Sequence, residues 1–255
     1  MSLLSVSRLT KGFGGLTAVS NLTFDVPSGS IVGLIGPNGA GKTTVFNLIT
    51  GIYRPDQGEI LFDGSSIVGL LTHRIVARGI ARTFQTIRLF QSLSALENVL
   101  AGHHCQMKTG LIGSLLHTGR QRREERRAIA TSLKYLEYVG LEGQAAQPAR
   151  NLSYGSQRLL EIARALATAP KLLILDEPAG GMNEQETTRL VDLIRSIRDR
   201  GITVLLIEHD MSLVMRVCER IVVMEYGLKI AEGDPDEIKS NPKVVEAYLG
   251  TEHDW

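Results

Sequence analysis

Residues 36–43, Gly36-Pro37-Asn38-Gly39-Ala40-Gly41-Lys42-Thr43, fit the pattern GxxxxGK[ST] at every fixed position. Glycines at 36, 39 and 41 let the backbone turn tightly and approach a ligand with no Cβ in the way. Successive N–H groups can then point into one concavity that suits phosphate oxygens. Lys42 is spaced to reach the β- and γ-phosphates of a nucleoside triphosphate, and the Thr43 hydroxyl to hold Mg²⁺. Asn38 and Thr44 complete the expected contact set.

A second constellation is Leu172-Leu173-Ile174-Leu175-Asp176-Glu177-Pro178, an apolar run that ends in two acids. A buried strand delivering carboxylates at its C-terminal end places them where α/β sheets bind ligands. Adjacent strand residues point to opposite sides, so the two acids take separate roles. Asp176 is expected at the Mg²⁺, through water, and Glu177 is expected to polarise an attacking water as a base.

The elements that must position these groups can be read from periodicity. Residues 30–35 form a short apolar strand before the glycine-rich loop, and Thr43 to Thr50 a helix after it. Leu3 to Leu9, Asn21 to Val26 and Glu59 to Phe62 read as further strands, with Pro27-Ser28-Gly29 and Asp63-Gly64 as turns. From about 93 to 167 apolar residues recur at helical spacing, among them Ile129, Leu133, Leu136 and Val139. After Pro170, apolar strands at Lys171 to Leu175, Thr203 to Ile207 and Ile221 to Met224 alternate with a helix from Glu184 to Arg200. The expected fold is α/β: a phosphate-loop core over 1–92 and 168–230, a helical insertion over 93–167 and a helical tail over 231–255.

The formal net charge of +1 in 255 residues gives no global field for nucleic acid. Cys105 and Cys218 stand far apart, outside any CxxC pattern, which suits a reducing compartment. The first eleven residues are too polar for a signal peptide, and no apolar run is long enough for a membrane span. A membrane role is therefore expected to come through a partner. Arg120 to Arg127 is a charge run read as a solvated helix face, with lipid headgroups as the alternative. His103-His104 with Cys105 has no second ligand pair nearby, so no metal is assigned there.

Further motifs carry a family resemblance. Leu152-Ser153-Tyr154-Gly155-Ser156-Gln157 resembles the signature motif of ABC-transporter ATPases and precedes the Asp176-Glu177 strand, as in that family. Gln85 in Arg82-Thr83-Phe84-Gln85 is similar to the family's Q-loop, and His209 in Ile207-Glu208-His209-Asp210 to its H-loop. Phe13 stands where the family has an aromatic residue that stacks on adenine; a packing role is the alternative. The likeness runs from Leu4 to Gly250 and is closest to the ATPase subunits of branched-chain amino acid importers. The stretches Arg82 to Phe90 and Asp176 to Asn183, and the ending Glu246 to Gly250, suggest this subgroup.

The resemblance implies a phosphate-loop NTPase core of ABC-ATPase type with an antiparallel β subdomain and a helical insertion subdomain. It implies ATP and Mg²⁺ as ligands, the ion held by Thr43, Gln85 and Asp176. It implies catalysis by Glu177, Gln85 and His209, and a head-to-tail dimer with a paralogue or with itself. In that dimer Ser153 and Gly155 face the partner's γ-phosphate. The implied setting is peripheral, on the cytoplasmic face of the inner membrane, with permease subunits docked on the helical insertion and an external binding protein acting indirectly. Tyr154, Ser156 and Asn183 depart from the family's commonest residues. A lipopolysaccharide-export-type ATPase and a soluble ABC protein acting on nucleic acid or ribosomes are the alternatives; the second lacks support from tandem domains or a long coiled-coil insertion.

Overall fold

A computed structural model describes residues 1–103 and 119–249. The central element is a six-stranded sheet in the order β10-β9-β3-β8-β7-β6. Its strands are β3 (Ile31–Ile35), β6 (Ile80–Arg82), β7 (Leu172–Asp176), β8 (Thr203–Ile207), β9 (Arg220–Glu225) and β10 (Leu228–Gly233). All neighbours are parallel except the β9–β10 hairpin. Strands β3, β7 and β8 are buried at every position, as parallel strands covered on both faces must be.

Strand alternation divides the core into two layers. Ile31, Ile35, Leu173, Leu175, Val204 and Leu206 face one layer, whereas Val32, Leu34, Leu172, Ile174, Leu205 and Ile207 face the other. The second layer is closed by helix α1 (Lys42–Ile49) and an antiparallel sheet in the order β2-β1-β4-β5. That sheet comprises β1 (Ser2–Phe13), β2 (Leu16–Pro27), β4 (Gln57–Phe62) and β5 (Ser65–Ser66). Short helix α2 (Thr72–Ala77) leads into β6. The first layer is closed by α3 (Ala95–His103), α4 (Gly119–Tyr138), α5 (Tyr154–Leu166) and α6 (Glu184–Asp199). Each fully buried Leu or Ile removes enough apolar surface from water to contribute about 1.5–3 kcal/mol, so both layers hold the sheet rigid.

Local signals explain the helix starts. Asn183 caps α6 with a reciprocal pair: its side chain accepts the Glu186 N–H at 2.9 Å, and Glu186 accepts the Asn183 N–H at 3.0 Å. Helix α7 (Met211–Val217) starts at Asp210, whose carboxylate accepts the Ser212 N–H at 2.8 Å. Helix α8 (Pro235–Ser240) has the same box from Asp234 and Glu237, and α9 (Pro242–Leu249) follows.

Some details differ from the sequence reading. Strand β10 runs to Gly233, past the point where a helical tail was expected to begin. Strand β6 and the short β5 were not foreseen. On α4 Leu133 is exposed, and the buried stripe is Ala128, Ser132 and Leu136, continued by Val139 just past the helix end; the face is rotated so that a serine takes the interior place. Glu124 to Arg127 lie on the solvated side of α4, exposed or half-buried; Arg120 to Arg122, His104 and Cys105 fall outside the described side chains.

Candidate nucleotide site

The C-terminal ends of β3, β6, β7 and β8 open on one edge of the parallel sheet, each leading into a loop with functional candidates. Strand β3 leads into the glycine-rich loop, β6 into Thr83-Phe84-Gln85, β7 into Glu177 and β8 into Glu208-His209. The crevice outside the carboxyl ends of parallel strands is where open α/β sheets bind ligands.

The loop is threaded between two pieces of backbone. A Cβ on Gly36 would stand 2.1 Å from the Met224 carbonyl oxygen, and one on Gly41 would stand 2.3 Å from that of Ala18. Both residues also have positive φ, at 150° and 98°, so glycine is required twice over. The Gly227 N–H donates to the Ala40 carbonyl at 3.0 Å, pinning the β9–β10 turn against the loop. The result is a cavity of about 340 Å³ lined by the loop from Asn38 to Thr44, by Gln85 and Glu177, and by Ala18 and Tyr226.

Lys42, 7% exposed, donates to the carbonyl oxygens of Gly36 at 2.6 Å and Pro37 at 2.9 Å, so its ammonium is folded across its own loop. Burial pushes its pKa below the ordinary lysine value, while Glu177 and then Asp176 push it back up. The cavity therefore holds a desolvated cation and the Glu177 carboxylate, with Asp176 close enough to act on the charge of Lys42.

Glu177 is bracketed by the two other residues expected to act with it. Gln85 Nε2 donates to Glu177 Oε2 at 2.9 Å, and His209 Nδ1 lies 3.6 Å from Glu177 Oε1. Its divergence from Asp176 has a cause other than strand alternation. Strand β7 ends at Asp176, and Glu177 turns away in the left-handed region at φ 48°, its N–H donating to the Ile207 carbonyl at 3.0 Å. A non-glycine residue held there costs of order 1–3 kcal/mol, and such strain gathers at functional positions.

Asp176 sits behind the cavity wall, where its Oδ2 accepts from Arg82 Nη2 at 2.8 Å. Phe13 is 42% exposed, edge-on to Tyr53 at 5.1 Å between ring centres, with Lys11 Nζ 5.4 Å from its ring. It stands at the surface rather than in the core, packed against Tyr53 and Lys11. Ser153 and Gly155 lie outside the cavity lining, at the start of α5. The Ser153 Oγ caps that helix by accepting the Ser156 N–H at 3.2 Å.

The departures in the signature also have local partners. The Tyr154 hydroxyl accepts from Arg158 Nη2 at 2.8 Å, and its ring packs on Gly181, where a Cβ would stand 2.9 Å away. Arg158 also donates to the carbonyls of Phe84 at 2.7 Å and Gln85 at 2.5 Å. Glu161, 1% exposed, accepts the Arg88 N–H at 3.0 Å, and Arg164 donates to the Arg88 carbonyl at 2.5 Å. One face of α5 thus grips the Gln85 loop through three charged side chains.

Sequence reasoning missed Arg82, Arg158 and Glu161. It also missed Glu208, 1% exposed, which accepts the N–H groups of Ala179 at 3.0 Å and His209 at 3.2 Å. Glu208 thereby ties the loop after Glu177 to the one carrying His209. Burial lifts its pKa above the ordinary glutamate value against the pull of those N–H donors. A single charged residue directly after an apolar strand, inside the stretch 207–210, was the available signal.

Together the loop, the strand ends and the cavity define a phosphate-loop nucleotide-binding protein of the α/β class. Residues 19–180 match the family described as ABC transporter, and residues 229–254 match the one described as branched-chain amino acid ATP-binding cassette transporter. Over 249 residues, 97% of this chain and 98% of the relative, the sequence is 48% identical to BraF of Pseudomonas aeruginosa, a high-affinity branched-chain amino acid transport ATP-binding protein. The fold superposes on the ADP conformation of MJ1267, an ATP-binding cassette of an ABC transporter, with TM-score 0.85, 32% identity and coverage of 98% and 99% of the two chains. It also superposes on the dimeric bacterial ABC transporter cassette MJ0796, with TM-score 0.78, 26% identity and coverage of 91% and 98%.

The chain belongs to the ABC transporter family, as one of its ATP-binding cassettes. The phosphate-loop core, the antiparallel sheet and the helical layer read from the sequence are those of this fold. Among the described residues no helix is long and apolar enough to cross a membrane.

Proposed function

We propose that this chain is the ATP-hydrolysing subunit of an importer for branched-chain or related hydrophobic amino acids. The observation that carries the hydrolytic part is the Glu177 carboxylate, held between Gln85 and His209 at the mouth of the phosphate cavity. A carboxylate there serves as base toward a water attacking the γ-phosphate, a role worth about 10²–10⁴-fold in rate. His209 steadies the phosphate and the water, and Gln85 reports on both to the helical layer. The branched-chain substrate class is supported by the C-terminal family match and by the relatives' names.

The donor types proposed for the ion fit magnesium. Thr43, Gln85 and Asp176 offer a hydroxyl, an amide and a carboxylate, the hard donors that ion takes alongside phosphate oxygens. Arg82 engages Asp176 Oδ2, and the other oxygen, Oδ1, carries no hydrogen bond among the described residues. When bound, magnesium offsets the charge of the β- and γ-phosphates. Lys42 must swing from the Gly36 and Pro37 carbonyls to those phosphates, and charge-assisted bonds reward the exchange. Backbone N–H groups of residues 38–44 cradle the phosphate oxygens, and the positive end of α1 favours their charge. Phe13, exposed beside Tyr53, stacks on adenine.

Ser153 and Gly155 open the thirteen-residue helix α5. Its N-terminal end faces the triphosphate of a second cassette, a paralogue or another copy, in a head-to-tail dimer. ATP bridges the two subunits, and its cleavage releases them. Permease subunits dock on the helical layer, an external binding protein delivers the amino acid, and the cassette lies on the cytoplasmic face of the membrane. The test is reconstitution with the permease pair in lipid vesicles. ATP hydrolysis should rise when binding protein loaded with leucine, isoleucine or valine is present. Stimulation by some other solute and by none of these three overturns the substrate class.

A further inference from the structure

Thr43 and Asp176, the two metal donors furthest apart in sequence, are carried by different strands. Thr43 follows β3 and Asp176 ends β7, and β8 lies between those strands in the sheet. The ladder joins them only through β8, where Ile207 is in register with both Leu34 and Asp176, and that pairing fixes the backbones without orienting the Asp176 side chain or tying it to α1. Arg82 spans this gap from a third strand. It closes β6, where it pairs with Ile174 of β7, and its side chain reaches the sheet's carboxyl edge.

The guanidinium makes its contacts on two elements. Nη2 donates to Asp176 Oδ2 at 2.8 Å. Nη1 donates to Asn47 Oδ1 at 2.8 Å and to Thr50 Oγ1 at 3.3 Å. Asn47 lies on α1 and Thr50 caps its C-terminal end, the helix whose first turn carries Lys42 and Thr43. The rings of Phe46 and Phe84 flank the guanidinium at 5.7 and 5.1 Å. The Arg82 and Asp176 side chains are 6% and 5% exposed, and Arg82 Nε has no hydrogen-bond partner among the described residues. A buried ion pair with an unsatisfied donor is a poor source of stability compared with apolar residues of the same volume. What it supplies is direction: a rigid planar fork with one prong on Asp176 and the other on α1.

We propose that Arg82 is the positioning residue of the magnesium site, fixing Asp176 to the rigid body that carries Thr43. The proposal rests on the magnesium reading given above. Arg82 lies outside the cavity lining and acts through Asp176, engaging Oδ2 and leaving Oδ1 for the ion. Outer-shell partners of metal ligands typically control about 10–100-fold in metal affinity.

The test compares nucleotide binding in Mg²⁺ with binding in EDTA, using a fluorescent ATP analogue and the intact chain. Asp176→Asn should lower the ratio of the two affinities. Arg82→Met should lower it by about tenfold or more while leaving the EDTA affinity unchanged. Arg82→Lys, which keeps charge and length without the fork, should fall between Arg82→Met and wild type. Adding Arg82→Met to Asp176→Asn should bring little further loss. A wild-type ratio in Arg82→Met, or equal loss with and without Mg²⁺, overturns the positioning role. If Arg82→Met does not fold, a wild-type ratio in Arg82→Lys overturns it instead. An unchanged ratio in Asp176→Asn would refute the magnesium assignment itself.

Discussion

Replacing Glu161 by alanine should be among the most damaging single changes outside the nucleotide cavity. Glu161 is 1% exposed on α5, with Arg158 3.8 Å and Arg164 3.6 Å from its carboxylate oxygens. Its Oε1 is the acceptor of the Arg88 N–H at 3.0 Å. Truncation leaves that N–H without its acceptor and leaves Arg158, 4% exposed, without its counter-charge. Removing one partner of a buried pair costs about 3–5 kcal/mol. In a chain of this size each kcal/mol moves Tm by about 2–4 °C, so Glu161→Ala should melt about 6–20 °C lower by calorimetry. Glu161→Gln keeps the volume and the acceptor and removes an ion whose pKa burial already pushes up. Its loss should be less than half that of alanine. The reasoning fails if Glu161→Ala melts within 2 °C of wild type, or if glutamine proves as damaging as alanine.

Other outcomes follow from the same geometry. Glu177→Gln should retain ATP binding and hydrolyse it about 10²–10⁴-fold more slowly, trapping a dimer visible by size exclusion in MgATP. Lys42→Ala should weaken nucleotide binding by removing a charge-assisted phosphate contact, measured by titration. Ser153→Arg should block dimer closure while each monomer still binds nucleotide. Glu208 has a folded-state pKa raised above its unfolded value, so the folded chain holds its proton more tightly. As pH falls through the folded value toward the unfolded one, wild type should gain stability relative to Glu208→Gln, and above that window the difference should be constant. Melting curves at successive pH values measure it.

The glycine-rich loop and the apolar run into Asp176 were legible because each is contiguous, with its meaning carried by spacing over a few residues. Gln85 and His209 were legible by resemblance, and the structure brings both to Glu177. The groups that organise the site were not legible. Arg82 meets Asp176 across 94 positions and Glu161 meets Arg88 across 73, and in sequence a buried charge looks like a solvated one. Strand β6 has three residues and owes its existence to pairing with β7, so it shows no periodicity of its own. Strand β10 is a sheet edge with Lys229 and Glu232 on it, and its polarity hid it. Glu177 diverges from Asp176 as expected, but through a left-handed backbone turn that strand alternation does not contain.

That turn sets the fold against its own chemistry. Glycine at 177 would adopt the same backbone without penalty, so the chain could be relaxed by about 1–3 kcal/mol by deleting a carboxylate that lines the cavity. If Glu177 is the base proposed above, random improvement of thermal tolerance in this cassette should drift toward inactive variants at this position, with selection for turnover holding the strained acid in place.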